Sequence, residues 1–164
     1  MLVAQPLQKE FFLRKIENRQ REVARQFAFL RRLFTPRTVF MHYGAHDCAL
    51  ALQAAGYVER VYAVDVAEGI TDGVRLPVNL RFVASRNLWT VADGAIDVSF
   101  SERLPAARLG DVHRCLARRG IHVFQASEES ARVRELVHGA GFSAFKKHWL
   151  ANLLHQPKLM TAHK

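Results

Sequence analysis

The sequence predicts an α/β fold: a mostly parallel central sheet flanked by helices and preceded by an amphipathic N-terminal helix. Three observations carry that expectation. After Pro36, short β-branched and aromatic runs alternate with helical stretches, the pattern of strands joined by crossover helices. Gly44 stands at the turn between the first of those strands and an alanine- and leucine-rich helix, and Asp65 closes the second strand.

Before Pro36 the apolar residues Phe12, Ile16, Val23, Phe27, Leu30 and Phe34 recur at spacings of three, four and seven. That spacing lines one face of a helix spanning 7–34. Arg14, Lys15, Arg21, Arg25, Arg31 and Arg32 fall on its other face, and Pro36 ends it because a helix cannot easily continue into a proline.

Strands are then expected over 38–43, 60–66, 80–84, 95–100 and 120–126, with helices over 47–55, 105–117 and 128–139. The three helices end before Gly56, Gly120 and Gly141, where a left-handed cap is easily adopted. The connection RNLWTVADG over 86–94 is too short for a full crossover helix. Residues 142–148 read as a final strand, and 149–164 as a C-terminal tail. With no repeat, linker or low-complexity tract, one domain is expected over 1–164, divided into an N-terminal helical segment (1–37), an α/β core (38–148) and the tail.

A chain of 164 residues can bury about 70% of its unfolded surface. Its 49% hydrophobic content is ordinary, and no apolar run approaches the roughly 20 residues that span a bilayer, so membrane insertion is not expected. The first residues lack the basic flank of a secretory signal. Cys48 and Cys115 lie far apart without CxxC spacing, which suggests neither a zinc site nor a disulfide framework and fits the cytoplasm. His42, His46, Asp47 and Cys48 crowd four donors into one turn, where they rarely converge on one ion, so no metal is expected. The net charge of +9 and pI near 10.3 attract polyanions, which makes the basic helix face a candidate for an acidic partner or nucleic acid.

The segments GAHDCALAL, VERVYAVDVAEGI and AIDVSFSERLP, followed by CLARRGIHVF and HGAGFSAF, resemble the successive motifs of class I S-adenosyl-L-methionine (SAM)-dependent methyltransferases, in order, over most of 38–142. The resemblance implies a Rossmann-like core, SAM as cofactor and an unidentified methyl acceptor. It implies that Asp65 holds the ribose hydroxyls, that the backbone of Gly44, Ala45 and His46 approaches the methionine part, and that Val66 and the Leu88/Trp89 region flank adenine.

His42 stands where the family carries an acid, and His46 and Cys48 stand where it carries its second and third glycines. Ser85, with Arg86 beside it, occupies the position of an adenine-binding acid. Ser101 and Glu102 would face the acceptor, with Glu102 as a general base, and Asp97 would organise the sheet edge near the cofactor. Asp47 is expected to cap the following helix. FSERLP lacks the Asn/Asp-Pro-Pro-aromatic signature of many amino-group methyltransferases. Two readings follow: a methyltransferase, or a methyltransferase-like domain that has lost catalysis and serves as a binding or assembly partner. An exposed C-terminal strand edge would suit a second subunit, giving a homodimer.

Overall fold

The five residues VFMHY alternate their side chains between two apolar environments, which makes them the natural centre of a sheet covered on both sides. This strand, β1 (Val39–Tyr43), pairs in parallel with β2 (Arg60–Val64) on one side and β4 (Ile96–Ser101) on the other. In the computed structural model, which describes residues 4–126, 130–148 and 158–164, β3 (Leu80–Val83), β5 (Leu116–Ala126), β6 (Ala144–His148) and β7 (Lys158–His163) complete a seven-stranded sheet. Its order is β3-β2-β1-β4-β5-β7-β6, with β7 antiparallel to both neighbours.

Among the described residues four α-helices cover the sheet: α1 (Ala4–Leu30), α2 (Ala49–Ala55), α3 (Leu109–Cys115) and α4 (Ser130–Gly139). Phe40, Leu50, Val61, Phe100 and Val123 pack with Leu30 and Phe34 on the α1/α2 side. Met41, Ile96, Leu116 and Phe124 pack with Val112, Val133 and Val137 on the α3/α4 side. A fully buried side chain of this size contributes about 1.5–3 kcal/mol, so these two layers supply most of the cohesion. The alanines of α2 let it lie close on the sheet, and Asn79 donates to the carbonyls of Ala55 and Val58 at its end.

The structure departs from the sequence reading in five places. The apolar stripe of α1 is buried only from Val23 onward; Phe12 and Ile16 are 62% and 40% exposed, because the helix outruns the sheet it covers. The expected second strand ends at Val64, and Asp65 turns the chain in the left-handed region at φ 57°. The connection over 86–94, by contrast, is as short as expected: residues 85–90 form only a 3-10 helix, tied down by Arg114, which donates to the carbonyls of Leu88 and Val91.

The end of the helix expected over 105–117 also moves: α3 stops at Cys115 and the chain enters β5 directly at Leu116, so Gly120 lies inside a strand. Of the three expected glycine caps only Gly141 takes a positive φ; Gly56 is right-handed. Finally, the segment read as a tail contains β7, which fits between β5 and β6. Val123, Thr161 and neighbouring residues pair there because both free strand edges need hydrogen-bond partners. The expected edge near 142–148 is therefore β6, the outermost strand on that side. Trp149 lies outside the described residues.

Candidate functional site at the carboxyl ends of the strands

In an open, mostly parallel sheet the chain leaves each strand at its carboxyl end, and loops there meet in a crevice. The crevice of this protein has two parts. One, of about 400 Å³, is lined by Tyr43, Gly44, His46, Glu102, Leu104 and Pro105. The other, of about 350 Å³, is lined by Asp65, Val66, Gly69, Thr71, Phe82 and Ala84. Backbone hydrogen bonds hold the two walls in register: the amide of Ala45 donates to Val64 at 2.8 Å and that of Ala67 to His46 at 2.9 Å.

Gly44 turns the chain out of β1 at φ 73°, a conformation that costs residues with a Cβ about 1–2 kcal/mol. Cys48, where the resemblance expects a glycine, adopts φ 59° all the same, its side chain fully buried. His46 is exposed, and a methyl group on Gly44 would sit 3.8 Å from its Nε2, so the imidazole roofs the turn that was expected to offer bare backbone. The amide of Ala45 is spent on Val64 and offers nothing to a ligand.

His42 does not line either part of the crevice. Its ring is fully buried on the α1/α2 side, with centroids 5.4 Å from Phe100 and 6.5 Å from Phe40. Neither ring nitrogen has a hydrogen-bond partner. Burial pushes its pKa down to about 3, so the position where the family carries an acid holds a neutral ring.

Asp65 stands one residue beyond the carboxyl end of β2. Its Oδ1 accepts the backbone N–H of Ser85 at 2.7 Å, and its side chain walls the second part of the crevice beside Val66. Ser85 is therefore adjacent to Asp65, and its hydroxyl lies near that of Tyr43. Burial raises the Tyr43 phenol, Ser85 lowers it and the Asp65 charge raises it, leaving it a protonated donor. Arg86 and Trp89 are exposed and line neither part, while Leu88 is buried in the core and does not flank a ligand.

Ser101 is not presented to an acceptor. It is 1% exposed, and its hydroxyl lies 3.3 Å from Nε2 of His122 inside the α3/α4 layer. Strand alternation explains this: Ser99 and Ser101 share one face of β4, opposite His122 on β5. Asp97 sits at the other end of the sheet, accepting the amide of Val39 at 2.8 Å where β1 begins, so it fixes the strands far from the crevice. Asp47 does cap α2, its Oδ1 accepting the amide of Ala49 at 3.2 Å.

Glu102 lines the crevice but is paired with a residue absent from the sequence expectations. Arg19 of α1 donates from Nε to Asp47 at 2.6 Å and from Nη2 at 3.1 Å, and its Nη1 lies 2.5 Å from Glu102 Oε1. Burial works to raise the Asp47 carboxyl, but the hydrogen bonds from Arg19 and Ala49 prevail and hold it low. The Arg19 guanidinium is pushed above its already high value, chiefly by Asp47. One signal in the sequence marked it: Arg19 interrupts the apolar stripe between Ile16 and Val23, where a helix face turned to the core carries a charge only if something there pairs with it.

Among the described residues no group of three or more His, Cys, Asp or Glu side chains is arranged to hold a metal ion, and no helix is long and apolar enough to cross a membrane. No sequence family and no curated protein matches the chain. Solved structures do. A SAM-dependent methyltransferase from Archaeoglobus fulgidus is 12% identical, with a TM-score of 0.64 over 87% of this chain and 94% of that one. An rRNA methylase from Streptococcus thermophilus is 15% identical, TM-score 0.59, over 85% and 93%. A Burkholderia thailandensis 1,6-didemethyltoxoflavin-N1-methyltransferase, solved with 1,6-didemethyltoxoflavin and S-adenosylhomocysteine bound, is 17% identical, TM-score 0.63, over 100% and 92%. The chain has the class I methyltransferase fold.

Proposed function

We propose that this protein is a SAM-dependent methyltransferase whose nucleoside-binding half is ready and whose methionine-binding half is held closed. The single observation that carries this reading is Asp65. A half-buried carboxylate stands at the carboxyl end of β2, oriented by the amide of Ser85, on the wall of a cleft that also offers Val66 and Phe82 as apolar surface. Its second oxygen accepts no hydrogen bond among the described residues, which leaves it to a ribose hydroxyl.

The fit to SAM is good on that side. On the other, Asp47 and Glu102 have the charge that a sulfonium and an ammonium need, and Arg19 takes both. SAM brings a methyl group on a positively charged sulfur. The chain's own contribution is to grip the ribose through Asp65, to line the crevice with the Tyr43 hydroxyl and, when Arg19 releases it, to offer the Glu102 carboxylate as a proton acceptor for the methyl acceptor. Ser101, buried against His122, has no part.

Calorimetric titration with SAM and S-adenosylhomocysteine tests the reading. Binding that is lost in Asp65→Ala supports it; no heat with either ligand at millimolar concentration rejects it. The Arg19 contacts favour a second reading, a methyltransferase-like domain that binds or assembles without catalysis. Ligand binding without methyl transfer to any acceptor class would select that one.

The acceptor is unidentified. The exposed Arg14, Lys15 and Arg21 on the overhanging half of α1 support an acidic partner or nucleic acid. Two free, buried thiols, Cys48 and Cys115, support a cytoplasmic site of action. Self-association into a homodimer would draw on the outer edge of β6.

A further inference from the structure

Arg19 ties α1 to the two neighbouring strand ends at the crevice: to the turn after β1 through Asp47, and to the end of β4 through Glu102. A third carboxylate, Glu22, stands 3.4 Å from Nη1. Half-buried ion pairs of this kind are geometrically selective, since a guanidinium presents its donors in a fixed fork. Without Arg19, Asp47 and Glu102 would both lose their partner, and Glu102 would stand as a free carboxylate on a crevice wall that Arg103 also lines.

The position of Arg19 along α1 matters as much as its partners. Residues 12–18 are all exposed, and among the side chains described from residue 12 onward Val23 is the first buried one. The guanidinium therefore sits at the boundary between the half of α1 that the core holds and the half that it does not. Lifting it from the crevice uncovers no buried side chain among residues 12–22.

We propose that Arg19 holds the place of a ligand's positive charge. While it bridges Asp47 and Glu102, the crevice accepts a neutral nucleoside at Asp65 and resists a sulfonium; a cationic ligand enters when Arg19 withdraws with the first half of α1. This makes Arg19 a determinant of ligand charge, and it rests on the nucleoside reading of Asp65. A latch closed nine-tenths of the time lowers apparent affinity about tenfold, and that is the scale of effect to look for.

The experiment is calorimetry on the full chain and on Arg19→Gln with three probes: adenosine, S-adenosylhomocysteine, which has an ammonium but no sulfonium, and SAM. The expected result is adenosine affinity unchanged within about twofold and SAM affinity raised about tenfold or more in Arg19→Gln, with S-adenosylhomocysteine between them. In the double variant Arg19→Gln/Glu102→Gln the gain for SAM should shrink, because one of the freed carboxylates is gone.

Adenosine binding with SAM affinity unchanged or weakened in Arg19→Gln would overturn the latch and leave the nucleoside reading standing. Absence of adenosine binding in both proteins overturns both. If Arg19→Gln fails to fold, hydrogen exchange on the wild type decides: saturating SAM should raise exchange of the α1 amides before Val23 while adenosine leaves them as they were, and equal protection with both ligands rejects the proposal.

Discussion

The Ser99 hydroxyl lies 2.7 Å from Nδ1 of His122, the residue paired with it on the next strand. Ser101 meets the other ring nitrogen, so a hydroxyl is present at each end of a ring that is wholly out of water. Burial pushes the His122 pKa down to about 3, and the ring is neutral.

That pairing makes stability depend on pH. The unfolded chain takes up protons on histidine near pH 6.5, whereas the folded chain resists until about pH 3. The stabilisation is complete above about pH 6.5 and declines as pH falls between those values, by about 1.4 kcal/mol per pH unit for each such histidine. His42 adds a second. Denaturant melts at pH 7, 6 and 5 should show this slope, and His122→Asn should remove about half of it; an unaltered slope in that variant would refute the assignment.

Two glycines should respond to alanine with opposite signs. A methyl on Gly120 would lie 2.9 Å from the Ala117 carbonyl oxygen, 3.0 Å from its nitrogen and 3.0 Å from the Ile96 oxygen, all backbone and all unable to swing away. Gly120→Ala should cost about 1–3 kcal/mol. Gly110, inside α3 with ordinary φ and open space around it, should gain about 0.5–1 kcal/mol from the same change. Thermal melts of the two variants check both signs at once.

Asp65→Asn is the gentle test of the ribose site. Asparagine tolerates the left-handed backbone and can still accept the amide of Ser85, so the fold should survive. A hydrogen bond to a charged group is worth about 1.5–3 kcal/mol, so adenosine or SAM affinity should fall about 10- to 100-fold. Equal affinity in the variant would remove Asp65 from the site.

For the basic helix, the expectation is binding to single-stranded RNA that weakens with salt. Replacing Arg14, Arg21 and Arg25 with glutamine should lower the slope of log K against log salt by about two, at roughly 0.7 per phosphate contact. A slope that does not move dissociates this face from nucleic acid.

The alternation of strand and helix was legible because each strand's apolar run is self-contained: VFMHY and RVYAV announce themselves by local pattern. Asp65 was legible for the same reason, being fixed by the strand that precedes it. What escaped were relations between distant segments. Nothing near His122 in sequence says that two serines on β4 will meet its nitrogens. Ser101 was misassigned because a side chain at a strand's carboxyl end can point into the layer as easily as out of it, and register decides which. Arg19 and Asp47 are 28 positions apart, and only the packing of α1 across α2 brings them together. The strand β7 escaped because it is set by pairing on both sides, with β6 just before it and with β5 more than thirty residues back, rather than by a strong pattern of its own.

That last strand bears on how the molecule comes to exist. β5 and β6 are not neighbours in the sheet; β7, the last of the seven to be synthesised, lies between them and joins β6 to the rest. Until residues 158–163 have left the ribosome, β5 presents a row of unpaired amides and carbonyls beside Ile121, Val123 and Phe124. A nascent or prematurely terminated chain would thus be a sticky species, and production of this protein should depend on chaperone capacity far more than the finished fold would suggest.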